Sequence, residues 1–361
     1  MEVSFSRIQI VFLLLLSIGI SNHVLIIPHL IQATGRDAWV SIVAGYFILL
    51  LWSALLYRVL KSMRTFTFND WLKAKSGQTG FWLIGGSLLL YFLIAGSMII
   101  YDTSQNVNIY FLPETNRLVI ILTFVLVSYF TVYAGLQTLI YVSVLLLPIV
   151  WLLGMSVSML TMGSKDYGMI KPLMAEGFHA QLDGSIIVFG GSIDLLVLLL
   201  LQHRMKKPIN YATFFIALTI LVGLILGPSI GSITAFGPDQ ASEMRFPAFE
   251  QWRLVMVGQY ISHVDYLAVF QLLAGSIVRT GLCIHLISEI IVIRSKKWRQ
   301  IALITGTLVM SAPALLDISD IKMQDWIHLY FYNSSMVWGI AVTLALFAIS
   351  FVKKGKGARQ K

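Results

Sequence analysis

Charge is what this chain of 361 residues has least of. Asp, Glu, Lys and Arg make up 12% of it and hydrophobic residues 57%, against roughly 25% charged in a soluble globular domain. The shortage excludes a soluble globule and leaves a polytopic membrane protein. Cysteine is nearly absent, Cys283 being the single one, which excludes an intrachain disulfide and any thiolate metal cluster and says nothing of redox compartment. Long polar stretches are missing too, so one membrane domain over 1–361 and no separate soluble domain are expected. The loops carry no nucleotide-binding loop, catalytic triad or hydrolase motif, and His23 and His29 have no third ligand nearby. No enzyme activity, cofactor or metal site is expected.

What the chain has is a series of apolar runs, each long enough to cross ~30 Å of hydrocarbon as a helix of roughly 20 residues. Ten are read, at about 7–34, 38–61, 81–111, 116–133, 138–162, 184–203, 209–236, 263–293, 299–316 and 326–352. The first is too long for the core of a secretion signal and lacks a small-x-small cleavage site, so it reads as an uncleaved helix. Lys and Arg settle orientation, because basic short loops stay in the cytoplasm. Arg58, Lys61 and Arg64, then Arg204, Lys206 and Lys207, then Arg294, Lys296 and Lys297, and the tail from Lys353 all fall on one side. The other side has only Arg36, Arg117, Lys165, Lys171, Arg245, Arg253 and Lys322. Both termini are therefore expected in the cytoplasm. The formal charge of +9 is a topology signal and a match for anionic membrane lipids, not a sign of nucleic-acid binding.

Two polar gaps exceed a turn. TFTFNDWLKAKSG (65–77) interleaves aromatic and basic residues, which suits a short helix lying in the membrane interface. On the outer side, 237–265 mixes charges with Phe246, Phe249, Trp252 and Tyr260; with Pro247 in the first turn it reads as an amphipathic helix over about 247–261, capping the outer vestibule or meeting a partner. PALLDISDIKMQDW (313–326) reads as an acidic outer loop, solvated or a subunit contact.

The first span is interrupted by Gly19, Ser21, Asn22, His23 and Pro28. One reading is helix packing through small residues with a kink at Pro28. The other is an unwound ligand site, since broken backbone in hydrocarbon persists only where protein or a water-filled cavity satisfies it. The sixth span, SIIVFGGSIDLLVLLLLQHR (185–204), breaks likewise at Gly190, Gly191 and Ser192 and shows Asp194. Interruptions at corresponding places in two five-helix halves, about 7–162 and 184–352, point to an all-α inverted-repeat fold of ten transmembrane helices (LeuT-like), with a midplane site between broken helices one and six. A half-helix starting near Ser21 would present free N–H groups to a carboxylate. Carbonyls around 18–20 and 189–191 would accept from an ammonium, and the glycines would leave room for the ligand. The pair suits a zwitterion such as an amino acid.

Helix three carries Asp102, Gln105 and Asn106 on one face, lining either the site or a solvated vestibule. Helix eight carries Ser276 and Arg279 near mid-span, where a charge costs at least ~2.5–3.5 kcal/mol to insert. Arg279 must find a partner, and Asp102, Asp194 or a carbonyl of a broken helix are the candidates. Glu289 is expected to meet interface water, and His263 and Asp265 to lie at the outer surface.

The segment FSRIQIVFLLLLSIGISNHVLIIPHLI followed by GRDAWVSIVAGYF, DYGMIKPLMAEG (166–177), and MRFPAFEQWRLVMVGQYISHVDYLAVFQLLAG (244–275) resemble the B subunit of GerA-type spore germinant receptors, the spore-germination permease family of the amino acid–polyamine–organocation superfamily. The resemblance covers nearly the whole chain. It implies a ten-helix permease fold in the spore inner membrane, acting with an A subunit and a lipoprotein C subunit as partners, and sensing a small germinant, commonly an amino acid. Carried onto this chain, the pocket would take Gly19, Ile20, Ser21 and Asn22, then Gly190, Gly191, Ser192 and Asp194, with Asp102, Gln105, Ser276 and Arg279 facing them. Transporting relatives place a coupling ion, or a lysine from helix five, beside the substrate. Helix five here (138–160) has Tyr141 as its only ionisable residue, and Arg279 is expected to supply that positive charge permanently, as suits a sensor. A proton-coupled amino-acid transporter is the alternative, with Asp102 and Asp194 as proton carriers.

Overall fold

The computed structural model describes residues 4–64, 66–256, 264–291, 295–316 and 318–352. Among these the chain is helical throughout, with one isolated parallel bridge, Phe5 to Met205, in place of any strand.

Helix α1 (Arg7–Ile20) starts where Ser6 and Gln9 satisfy each other's backbone N–H groups in a capping box. It passes through a π turn (Ser21–Leu25) into α2 (Ile26–Thr34), and the chain then turns at Gly35, whose φ of 50° is a conformation glycine adopts at little cost. Asp37, fully buried, pins this turn by accepting from the Met174 and Glu176 amides at 3.0 Å each. There follow α3 (Ala38–Met63), α4 (Phe68–Tyr110), α5 (Arg117–Tyr133) and α6 (Leu136–Leu160). The second half holds α7 (Gly177–Ser192), a 3₁₀ turn (Ile193–Leu196), α8 (Val197–Leu201) and α9 (Tyr211–Phe236). Short α10 (Pro238–Glu243) and α11 (Pro247–Glu250) precede α12 (Tyr266–Ile291), α13 (Lys296–Leu315), α14 (Asp320–Trp326), a second π turn (Ile327–Phe331) and α15 (Tyr332–Phe351).

Seven stretches among the described residues are long and apolar enough to cross a membrane: Arg7–Met63, Phe68–Tyr110, Leu136–Leu160, Gly177–Arg204, Tyr211–Phe236, Tyr266–Ile291 and Asp320–Phe351. Arg117–Tyr133 is a shorter apolar helix. With the family reported below, this makes the chain a multi-pass membrane protein. The α1–α2 and α7–α8 stretches are enclosed on all sides, as helices apolar all round must be, whereas α6 and α15 turn most of their side chains outward. Around these two centres α3 packs on α7 and α9; α4 on α12 and α13; α5 on α12 and α13; α1 on α6, α9 and α12; and α15 on α7 and α3.

Three local expectations change. The interfacial helix of 65–77 is a short helical arm from Phe68, bent into the rest of α4 at Gly77 (φ 73°). Its Phe68, Trp71 and Leu72 are buried against the bundle; Thr65 is outside the described residues. The 247–261 helix is only α11 and a 3₁₀ turn (Gln251–Leu254), with Pro247 at its first turn as expected. Residues 257–261 and His263, like Arg294 and the tail from Lys353, lie outside the described residues; Asp265 is half-buried. The 313–326 loop is helix for most of its length, the end of α13 and all of α14.

Candidate functional site

The interruption of helix one is a π turn, not an unwound segment. Ile20, Ser21 and Ile26 keep helical φ and ψ, the Ser21 amide donates to the Ile18 carbonyl, and the Ile26 amide donates to the Ser21 carbonyl. The Ser21 N–H expected to be free, and the Ile18 carbonyl, are therefore taken up locally. A π turn inserts one residue into the helix and loosens its hydrogen-bond ladder at a single place.

Helix six continues through Gly190, Gly191 and Ser192 and changes to 3₁₀ form only at Ile193–Leu196. Ser192 Oγ donates back to the Val188 carbonyl at 2.8 Å. The two glycines allow close neighbours: a Cβ on Gly190 would collide with the Tyr332 backbone and one on Gly191 with Ile26 Cδ1. The tighter 3₁₀ turn carries Asp194 inward, 4% exposed.

There Asp194 meets Arg279. The Arg279 guanidinium lies 2.5 Å from Asp194 Oδ2 and reaches the Ser17 carbonyl of α1 at 3.4 Å, while the Tyr91 hydroxyl donates to Asp194 Oδ1 at 2.7 Å. Of the three candidate partners, Arg279 thus takes Asp194 and a carbonyl just before the π turn. Ser21, Gly191, Asp194 and Arg279 converge on one enclosed space of about 20 Å³, closed by Tyr91, Phe331 and Tyr332. Trp338 stacks on Tyr91 with ring centroids 4.5 Å apart, and the Tyr332 hydroxyl donates to the Leu25 carbonyl at 3.4 Å.

The other predicted residues go elsewhere. Gly19 and Ile20 face a larger cavity on the opposite side of α1. Asn22 Nδ2 donates to the Leu221 carbonyl of α9 at 3.2 Å. Ser276 accepts from Thr103 Oγ1 at 2.8 Å, and Gln105 donates to the Tyr101 hydroxyl at 3.2 Å. Asn106 is fully buried. Asp102 leaves the central space for an outer ion pair with Arg245, which also binds Asp320 at 2.9 Å, and Gln324 donates to Asp102 at 3.2 Å. Burial opposes the charge on Arg245, yet the Asp102 and Asp320 carboxylates outweigh it and hold its pKa above the usual arginine value. The network ties the 238–256 segment to α4 and α14 above the central space. A solvated vestibule at Asp102 is not what the structure shows.

At the other end, Glu289 is partly buried and ion-paired. Its carboxylate, on the wall of a cavity of about 570 Å³, is shared by Arg204 at 2.8 Å, His285 at 3.2 Å and His203 at 3.6 Å. Tyr91, Tyr332 and Trp338 are the site residues that sequence reasoning missed. The run Tyr330-Phe331-Tyr332-Asn333 was the available signal, but aromatics within a span ordinarily read as packing.

Comparison with known proteins follows the same lines. A family model described as "Spore germination protein" matches residues 4–321. Spore germination protein XB of Bacillus anthracis is 32% identical over 348 residues, covering 96% of this chain and 98% of that protein. Spore germination protein KB of Bacillus subtilis (strain 168) is 20% identical, covering 100% and 98%. The putative spore germination protein YfkT of the same strain is 26% identical over 65% of each chain.

Proposed function

The chain belongs to the spore germination protein family, and from that premise we propose that it is the germinant-sensing subunit of a receptor in the spore inner membrane, binding a small nutrient of the amino-acid class between its two central helices. The family is one of germination proteins and not an enzyme class. The observation that carries the reading is the buried Arg279–Asp194 pair, set between the π turn of helix one and the 3₁₀ turn of helix six. A charge pair out of water is expensive and is retained against apolar replacement mainly where it serves a purpose. A zwitterion matches it charge for charge. Its carboxylate takes the place of Asp194 on Arg279, its ammonium that of Arg279 on Asp194, and no charge is left bare. Arg279, which never deprotonates in a protein, supplies the positive pole without an ion cycle.

In the described arrangement the space is only about 20 Å³, too small for any amino acid, and the Arg245 network closes it from outside. This is a closed conformation, and entry requires the outer ion pairs to part.

The ten-helix inverted repeat is part of the proposal. The Arg7–Met63 stretch counts as two crossings with a turn at Gly35, and α5 and α13 each add one. If α1, α3, α4, α5 and α6 are matched to α7, α9, α12, α13 and α15, the packing pairs map onto each other: α3–α7 onto α9–α1, α1–α6 onto α7–α15, α5–α12 onto α13–α4, and α4–α5 onto α12–α13. That correspondence supports halves of about 7–162 and 184–352. Both termini are placed in the cytoplasm, and the response passes to A and lipoprotein C partner subunits.

The test is ligand-induced thermal shift of the purified chain with an amino-acid panel, run beside uptake of the same labelled compounds into proteoliposomes under a proton gradient. A shift for particular amino acids, abolished in Arg279→Met, is expected without uptake. Gradient-driven uptake would make the protein a proton-coupled transporter instead, and no shift with any compound would remove the amino-acid reading.

A further inference from the structure

Two imidazoles face each other beside the elements that close the central space. His29 lies on α2 and is 3% exposed, while His328 lies half-buried on the second π turn, and their ring centroids are 5.8 Å apart. The Tyr332 ring, which also walls the central space, stands 5.5 Å from His29. The π turn continues directly from α14, whose Asp320 holds Arg245 at 2.9 Å. On the other side α10, which ends two residues before Arg245, packs on α2. The two rings therefore sit on elements that the Arg245 network ties together, and an opening that parts α2 from the π turn parts the rings.

Such a contact is cheap only while His29 is neutral. The titratable and charged groups that face it are His328, Tyr332 and Arg245. Those that face His328 are His29, Asp183 of α7 and Asp325 of α14. A proton on His328 would meet two carboxylates. One on His29 would make a buried cation set against a second cation, with no group of opposite sign among those that face it, and an uncompensated charge out of water is costly. Once α2 and the π turn part, water reaches His29, and an imidazole in water takes a proton at about pH 6.5.

We propose that His29 is a proton-binding site coupled to the outer barrier: the closed arrangement holds its ring neutral against His328, and the open arrangement binds one proton there. The proposal rests on the reading of the present conformation as closed, and it holds whether or not the ligand is an amino acid. Because the open form binds one proton more, acid drives the equilibrium toward it. One proton taken up by an ordinary imidazole makes that gain about tenfold between pH 7.5 and pH 5.5.

The full chain is reconstituted in nanodiscs in a Cys283→Ser background, with Ser21→Cys on the wall of the central space and, in a second protein, Glu114→Cys on the exposed loop between α4 and α5. The ratio of their rates with a hydrophilic maleimide cancels the titration of the thiol and reads opening. That ratio should rise about tenfold from pH 7.5 to pH 5.5. In His29→Phe, or His29→Gln should the first not fold, it should be flat, and in His328→Phe the rise should remain. A flat ratio in the parent would overturn the proposal. So would a rise that survives in His29→Phe, which would assign the proton to another group such as Asp102, or one lost in His328→Phe, which would assign it to His328. Arg245→Ala tells this failure from failure of the closed reading: a ratio that it raises at pH 7.5 beside a flat parent profile condemns the proton site alone, and a ratio that it leaves unmoved condemns the closed reading as well.

Discussion

Removing either partner of the Arg279–Asp194 pair should be far costlier than removing both. Arg279 is 7% exposed and Asp194 4%, and beyond each other they have only the Ser17 carbonyl and the Tyr91 hydroxyl. A single replacement leaves a charge in a dry interior, which costs about 3–5 kcal/mol in buried pairs, whereas exchanging the whole pair for apolar residues of similar volume is neutral or stabilising by ~1–4 kcal/mol. Asp194→Leu and Arg279→Met should each lower the thermal midpoint by about 6–10 °C, taking roughly 2 °C per kcal/mol for a chain of this size. The double variant should return to within a few degrees of the parent and yet give no ligand-induced shift with any amino acid. Midpoints of the four proteins in one detergent, with and without ligand, complete the cycle. Additive losses in the double variant would refute the reasoning, since two charges that do not depend on each other are not a buried pair. Single variants within ~1 kcal/mol of the parent would do the same by showing that water reaches them.

Other consequences are quicker to check. In a Cys283→Ser background, a Ser21→Cys reporter should react slowly with an impermeant maleimide, and adding Arg245→Ala should raise the rate about tenfold; an unchanged rate would show that the Arg245 ion pairs are not the outer barrier. Gly190→Ala should destabilise by ~1–3 kcal/mol because its Cβ meets the Tyr332 backbone, whereas Gly223→Ala, with open space before it, should be neutral or stabilise by up to ~1 kcal/mol; equal effects on the thermal midpoint would contradict the packing. Glu289→Gln takes the shared carboxylate away from Arg204, His203 and His285 and should cost about 1–3 kcal/mol, read as a lower midpoint; a variant as stable as the parent would mean that this cluster is solvated after all.

How much of this was legible follows from what hydropathy encodes. Run lengths locate apolar helices, and the cost of a mid-membrane charge announces that Arg279 needs a partner, so the pair was visible as a short set of candidates. The choice of Asp194 over Asp102 was not, because it depends on which helix faces are brought together. Asp102 is claimed by Arg245, a residue that reads as an outer loop charge until α4, α14 and the 238–256 segment are seen to meet. The π turn at Ser21–Leu25 was legible as an irregularity but not as its kind. Gly, Ser and Asn weaken a helix in any form, and whether the chain unwinds or inserts one residue depends on whether neighbours accept the shifted side chains. Here Asn22 finds the Leu221 carbonyl of α9. The glycines of helix six show the same limit: Gly190 and Gly191 mark a close approach, and the sequence does not say whether a ligand or a neighbouring helix makes it.

Three irregular turns meet around the central pair: the π turn at Ser21–Leu25, the 3₁₀ turn at Ile193–Leu196 and the π turn at Ile327–Phe331. Tyr332 links them, with its hydroxyl on the Leu25 carbonyl and its backbone against Gly190. A ligand shifts a conformational equilibrium only by as much as it binds one state better than another, and a small nutrient makes few contacts, so those contacts must fall where little else has to change. A regular helix answers a local push only by breaking several hydrogen bonds, whereas a π turn can pass its one-residue insertion to the next turn while most of the ladder survives. A zwitterion that parted Arg279 from Asp194 would press on Ser17, Tyr91 and the two turns behind them at once. The two halves would not respond alike. On one side α3 is packed against α15, while at the matching place on the other side α6 and α9 form opposite walls of the cavity that Gly19 and Ile20 face, about 290 Å³. Under the proposed reading, that cavity would be the free volume open to helix one when a ligand parts the pair.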